Sequence, residues 1–467
     1  MADEKTTAPE KAPKETKPKR DYSRLAVLKG AMLAINKEHG KATIGVGSAM
    51  RPAAMARISS GSLAWDFASG GGIPVGRVTL IYGKKSSGKS SRSQRAMGIA
   101  QNRCANCLRP PKDFRVVQVT DDIYDPKTGE VVTPGEWAAQ GTCDCMDAGL
   151  FTPRRLEIAL ENNQTRLETD TEFGARCKAL RANSFEELRV ALIDVEGAFD
   201  RAWATNLGLD SRRLLYVCPP TAEEAIDIYE ALIRTGAVDL ICLDSIAALT
   251  PAIEVEKSTE DEQRAALAKL VNKFVRLDNA ATNDVNRLTG RLVTRIWVTQ
   301  PRTKMNVTFG DDEVLPGGMG QEFAASMIVK SWSSSWEAEN ALDDVKKEDQ
   351  IKLGTTARMN FFFKYNKTAP ARGTGSEEWI LAGPEAGRIN EDAFICNLAE
   401  RYHYWGKTDD DKQWFLKNLP WQAPKEVTRY PTKTKAVEAL LARDHADALR
   451  ERLLAHMHGA VARGEAV

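Results

Sequence analysis

Apolar positions along this chain follow two rhythms. Short unbroken runs occur at Val78-Thr79-Leu80-Ile81-Tyr82, Val190 to Ile193 and Leu240 to Leu243, each the length of a strand buried on both faces. Between the last two, Ala225, Ile228, Tyr229, Leu232 and Ile233 share one helical face. Pro219 and Pro220 stop the chain before it, and Thr221 with Glu224 makes a capping box. A second helical face runs through Leu267, Leu270, Val271, Phe274 and Val275, and further strands are predicted at Leu292 to Val298, Met327 to Val329 and Met359 to Phe363. Strands alternating with helices imply an α/β fold, with a mostly parallel central sheet covered on both sides.

The same pattern divides the chain. Residues 1–21 are rich in Lys, Glu, Pro and Thr with almost nothing to bury, and predict a disordered arm. Residues 22–57 open with Leu25, Leu28, Met32 and Ile35 at helical spacing. The α/β core is expected over 58–395, interrupted twice: at 104–184, where cysteine pairs and turn residues replace the α/β rhythm, and at 333–354, whose Ser, Glu and Lys predict a solvated loop. Residues 396–467 read as a small C-terminal helical domain, with Trp405, Trp414, Trp421 and a final helix around 434–456. A length of 467 residues suits such a division.

Composition adds less. Lys and Arg number 65 against 64 Asp and Glu, so a nucleic-acid site must be a local patch or a stripe created by assembly. No apolar run approaches the ~20 residues that span a bilayer, and no secretory signal is visible at the N-terminus. A cytoplasmic protein is expected. In such a reducing compartment, Cys104, Cys107, Cys143 and Cys145 point to a metal sooner than to disulfides.

The sharpest chemical signal is Gly83-Lys84-Lys85-Ser86-Ser87-Gly88-Lys89-Ser90, which matches G-x-x-x-x-G-K-[ST] between a strand and a helix. Its glycines let backbone N–H groups converge on phosphates. Lys89 would bridge the β- and γ-phosphates, and the Ser90 hydroxyl would ligate Mg²⁺. A Gly/Ser-rich surface turn is the plainer alternative, but it does not need these flanks. Asp244 ends one apolar run and would hold the Mg²⁺ through water. Glu196 lies just past Leu192-Ile193-Asp194-Val195, where it would activate water. Gln300 follows Trp297-Val298-Thr299, placed to sense the γ-phosphate.

Several motifs in order carry a resemblance. Ile58 to Leu63, Gly71 to Arg77, Ile81 to Lys89, Asp194 to Asp200, Asp244 to Pro251, Gln300 to Arg302, Phe309-Gly310, Gly317-Gly318 and Phe323 to Ser326 resemble the bacterial-type RecA recombinase family. Lys37 to Lys41 is similar to the end of that family's N-terminal assembly helix. The likeness covers roughly residues 25–103 and 185–332, with an echo at 357–382. It implies a RecA-like P-loop ATPase core that binds ATP and Mg²⁺, assembles with copies of itself into a filament on single-stranded DNA, and exchanges strands with homologous duplex DNA. The resemblance assigns catalysis to Glu196, Lys89 and Gln300. It puts adenine against Asp200 and Trp203, and Lys364 and Lys367 near the next subunit's ATP. It places DNA-binding loops at 257–264 and 301–316, bringing Arg302, Lys304, Phe309, Gly317 and Gly318 to the strand, with Lys269 and Arg276 on one helix face reaching it. Phe323 would couple neighbouring subunits. No membrane role is implied. The alternative is a RecA-fold ATPase with another task, a hexameric helicase or a regulatory ATPase.

There are departures. Lys257 to Arg264 is acidic and glycine-free for a DNA loop, and Ser91-Arg92-Ser93-Gln94 is polar for a helix packed on a sheet. Insertion 104–184 and the C-terminus set the chain apart from ordinary bacterial members and suit a phage origin, which places it in a bacterial or phage-infected cell. Cys104-x-x-Cys107 with Cys143-x-Cys145 reads as a Cys₄ structural zinc site; free thiols and a redox or Fe–S role stay open. The basic residues of the C-terminal region are candidates for capturing duplex DNA.

Overall fold

A computed structural model describes residue 28, residues 31–34, 37–38 and 55–462, the last range without 125–130, 144, 146–155, 160–164, 184–185, 250–259, 304–312, 341–351, 370–372, 409–411 and 424. Residues 1–54 and 55–467 form two units. In the first, the described residues are helical, and Leu28 and Leu33 are exposed.

The second unit is built on a nine-stranded sheet. In chain order its elements are α1 (Leu63–Ser69), β1 (Val78–Tyr82), α2 (Lys89–Gln101), β2 (Val190–Asp194), α3 (Arg201–Asn206), β3 (Leu214–Val217), α4 (Ala222–Arg234) and β4 (Leu240–Asp244). There follow α5 (Glu260–Thr289), β5 (Thr294–Thr299), α6 (Gly320–Ala324), β6 (Met327–Asn340), β7 (Lys352–Asn366), β8 (Thr374–Ile380) and β9 (Ile389–Asn390). Across the sheet the order is β3-β2-β4-β5-β1-β6-β7-β8-β9. The first six are parallel, and β7 to β9 continue antiparallel.

Alternation within the parallel strands explains their unbroken apolar sequence. Leu80, Ala191, Ile193, Ile241, Leu243 and Trp297 enter one core with Tyr229 of α4 and Phe274 of α5. Ile81, Val190, Leu192, Leu240, Cys242, Ile296 and Val298 enter the other with Trp65, Met97, Phe361 and Phe363. Both faces are therefore dry, as a parallel sheet requires. The N-cap of the expected box forms, with the Glu224 amide donating to Thr221 Oγ1 at 3.2 Å.

The insertion leaves the core just after α2. It contains strand pairs 112–118 with 137–142, 123–124 with 131–133, and 157–159 with 165–167, then a helix at Asp170–Asn183. Its root is fastened at the amino end of the sheet. Cys104 bridges to Glu187, and the Arg213 guanidinium donates to Gln101 O (3.0 Å), Asn102 Oδ1 (2.9 Å) and Glu187 Oε2 (2.7 Å).

Two expectations change. The expected solvated loop at 333–354 is instead strand in its described residues: β6 runs on through Asn340 and β7 starts at Lys352, with Glu337 opposite Thr356 and Glu339 opposite Leu353. Two strands pairing with each other satisfy their backbones whatever side chains they carry, so a polar composition conceals them. The C-terminal region is not wholly helical. Besides α7 (Asp392–Arg401), it holds a three-stranded antiparallel sheet of β10 (Trp405–Lys407), β11 (Trp414–Lys417) and β12 (Val427–Tyr430), then α8 (Lys433–Leu440) and α9 (Arg443–Ala462). Strands this short show no legible period. Their core, with Trp405, Leu416, Leu440 and Leu453, also takes in Leu63 of α1.

Phe274 is fully buried, with ring centroids 5.0 Å from both Tyr229 and Trp297. Phe274→Ala is expected to cost about 3–5 kcal/mol of unfolding free energy in urea titrations. A loss under about 1 kcal/mol would mean that this face of the sheet is not packed as described.

Candidate functional site

Four neighbouring parallel strands end on one line. Asp194 of β2 is opposite Asp244 of β4, Asp244 opposite Val298 of β5, and Val298 opposite Ile81 of β1. Whatever follows those residues must gather at the same edge, where open α/β sheets place their ligands. Glu196, Ser245, Gln300 and the 83–90 loop follow them.

The loop turns tightly over β6. A Cβ on Gly83 would lie 2.0 Å from Ser331 O, so no side chain fits there, and Gly88 has φ +75°. Lys84, Lys85 and Ser86 are exposed, while Ser87 and Lys89 are buried. The Lys89 ammonium donates to Lys84 O at 2.8 Å and lies 3.4 Å from Ser87 Oγ, held at the mouth of the loop. Burial pulls its pKa below the usual lysine range, against the opposing pull of Asp244 and Glu196. Burial also pushes Asp244 up to about 6; the Ser90 hydroxyl bonded to it counters this, and the Glu196 and Asp194 carboxylates add to it. A buried carboxylate among like charges and next to a hydroxyl is a donor set that a hard divalent cation would stabilise.

Glu196 is exposed, and one of its oxygens is gripped twice. Ser245 Oγ donates to Oε1 at 2.6 Å, and Gln300 Nε2 approaches the same atom at 3.5 Å. Asp194 shapes the turn beneath, accepting from the amides of Gly197 and Phe199 at 2.9 Å each and from the Tyr216 hydroxyl at 3.1 Å. Ser245 and Asp194 lay within the motifs read from sequence, but their contacts with Glu196 and its turn depend on the sheet register.

Other candidates are placed variously. Asp200 caps α3, accepting from the amides of Ala202 and Trp203, and Trp203 Nε1 donates to Ser91 Oγ at 3.1 Å, so both flank the helix that follows the loop. Lys364 sits where the β6–β7 register shifts, its ammonium 5.8 Å from the Tyr82 ring centre. Lys367 Nζ donates to Phe323 O at 2.9 Å.

Gly317 and Gly318 have φ +85° and +79°, and Gly317 presses on Val271 of α5. That turn therefore lies against the helix carrying exposed Lys269 and Arg276. Arg302 is exposed on a short strand paired with 313–314. Lys304 and Phe309 lie outside the described residues, as do 257–259 of the first expected loop. Met319 and Phe323 are exposed apolar groups beside the glycine turn.

The four cysteines converge. Sγ of Cys143 lies 3.2 Å from that of Cys145 and 3.3 Å from that of Cys107, and Cys104 Sγ lies 3.6 Å from Cys145 Sγ. All four sulfurs fall within 4.8 Å of one another, none in a disulfide. A zinc tetrathiolate with Zn–S of about 2.3 Å has sulfur–sulfur edges of about 3.8 Å. Burial pushes the Cys104 thiol up to about 11, a cost that a bound cation relieves.

The family model described as the RecA N-terminal domain matches residues 26–109 and 178–368. The chain belongs to the RecA family. Its match breaks over 110–177, the stretch occupied by the inserted strand pairs. Protein RecA of Listeria welshimeri is 28% identical over 338 residues, covering 72% of this chain and 68% of that protein. Protein RecA of Brevibacillus brevis is 27% identical over 351 residues, covering 74% and 70%. This RecA-family chain thus carries the family's core around a module and a C-terminal region that the family model does not reach.

Gly83→Ala is expected to destabilise the fold by about 1–3 kcal/mol, because the added methyl must displace strand backbone. Urea midpoints measure it. An unchanged midpoint would show that the loop does not lie on β6.

Proposed function

We propose that this chain is an ATP-dependent DNA recombinase, which forms filaments on single-stranded DNA and promotes homologous pairing and strand exchange. The observation that carries the reading is the convergence of the 83–90 loop, Asp244, Glu196 and Gln300 at the carboxyl ends of four adjacent parallel strands.

The loop has backbone donors, a glycine where no side chain fits, and a lysine at its mouth. These fit a triphosphate. Lys89 would exchange its bond to Lys84 O for phosphate oxygens. Mg²⁺ on Ser90 and Asp244 would supply neutralising charge to those oxygens. Glu196, oriented by Ser245 and Gln300, takes a proton from a water whose oxygen attacks the terminal phosphorus while the bond to ADP breaks. Gln300 lies two residues before Arg302, which links this glutamate to the short strand that carries a DNA-facing charge. On that side Arg302, Lys269 and Arg276 offer phosphate contacts around Gly317 and Gly318. We propose further that Cys104, Cys107, Cys143 and Cys145 hold a structural Zn²⁺.

ATP hydrolysis by purified protein should rise at least about tenfold with single-stranded DNA, and Lys89→Ala should abolish it. Hydrolysis indifferent to DNA would favour the other reading, an ATPase of this fold with a different task. Filaments or rings in electron micrographs then separate a recombinase from a hexameric helicase.

Elemental analysis should find one zinc per chain. Removing it with a strong chelator should lower the melting temperature and make the four thiols titratable, and Cys143→Ser should lower it likewise and free the remaining three. Metal-free protein with an unchanged melting temperature under reducing conditions would refute the zinc site.

A further inference from the structure

The helix after the phosphate loop is unusually polar on its buried side, and Arg92 shows why. Its side chain is 5% exposed and forms an ion pair with Glu377 of β8, itself 1% exposed. Its charge lies 5.3, 5.6 and 5.9 Å from the ring centres of Trp65, Phe361 and Trp379. Trp379 Nε1 donates to Glu377 Oε2 at 2.8 Å, the same oxygen that Arg92 meets, so two donors fix that one oxygen.

The third partner reaches the loop. Arg92 Nε donates to Ser331 Oγ at 3.2 Å. A serine hydroxyl has one proton, and this one goes to Ser87 O, 2.5 Å away. The Ser87–Gly88 peptide is trans; among the described residues the cis bond is Asp244–Ser245. Across a trans peptide the N–H points opposite to the carbonyl. With Ser87 O pulled down onto β6, the Gly88 N–H is turned away from the strand. The backbone oxygen of the same serine is what excludes a side chain at Gly83, so Ser331 contacts both ends of the loop.

We propose that Arg92 and Glu377 are positioning residues: the buried pair sets the Ser331 hydroxyl, which locks the Ser87–Gly88 peptide with its N–H presented to phosphate. This rests on the nucleotide reading above. The pair touches no phosphate itself and works through Ser331. A packing role alone predicts something different. Buried ion pairs replaced together by apolar side chains of similar volume often keep or gain stability, so Arg92→Met/Glu377→Met should then bind nucleotide as wild type does.

The experiment is titration of the full chain with a fluorescent ATP analogue in Mg²⁺, with thermal unfolding of each variant measured without nucleotide. Arg92→Met/Glu377→Met is expected to melt close to wild type yet bind about 5- to 10-fold more weakly, the effect of one lost hydrogen bond in the loop. Ser331→Ala, which leaves the ion pair intact, should weaken binding by a similar factor. It decides the matter should the double variant fail to fold. Wild-type affinity in Ser331→Ala, or in a folded double variant, overturns the proposal while the nucleotide reading stands. A wild-type chain that binds no analogue overturns both.

Discussion

Everything at the candidate site depends on the parallel strands being paired in one register. Asp194, Asp244, Val298 and Ile81 form a single line across β2, β4, β5 and β1, and Glu196, Ser245, Gln300 and Gly83 lie one or two residues beyond it. Both faces of the sheet are packed, so a one-residue slip in any strand would exchange its two sets of side chains between two dry cores. Slipping β2 would also move Asp194 from beneath its turn, where it holds the Gly197 and Phe199 amides. The site is therefore fixed by residues such as Leu80, Ile193, Leu243 and Trp297, which never touch it.

That dependence explains what could be read from sequence. The loop, Glu196, Asp244 and Gln300 are legible because each is a polar break directly after an apolar run, and parallel topology makes such breaks meet. Arg92 was visible only as an anomaly, a charge on a helix that should face a sheet. Its partner lies 285 positions away, and Ser331 is 244 positions from Ser87. No local pattern encodes those meetings. The β6–β7 hairpin is hidden for a related reason: its strands satisfy each other, so their composition need not mark them. The three strands of the C-terminal region are too short to display a period, although its tryptophans do gather in one core.

The insertion shows how much can be added to such a sheet without disturbing its working edge. It departs after α2 and returns before β2, at the amino ends of the strands, away from the loop. Arg213 secures both roots at once through Gln101, Asn102 and Glu187, and the Cys104–Glu187 bridge lies beside them. Its sheets are two-stranded, with Ile123, Tyr124 and Val131 exposed. Pairs this small do not stand alone in water. Four converging thiols lie where such a core is missing, and the zinc proposed for them would supply what it cannot.

A similar accounting applies to Arg92 and Glu377. Taking two charges out of water is expensive, and a well-packed apolar pair would often be as stable. Aromatic rings on three sides recover part of that cost, but they would also accept a methionine. What an apolar side chain cannot do is donate to Ser331 and so dictate where its single hydroxyl proton points. The one property of the pair that packing does not reproduce is thus directional, and its direction ends at the 83–90 loop.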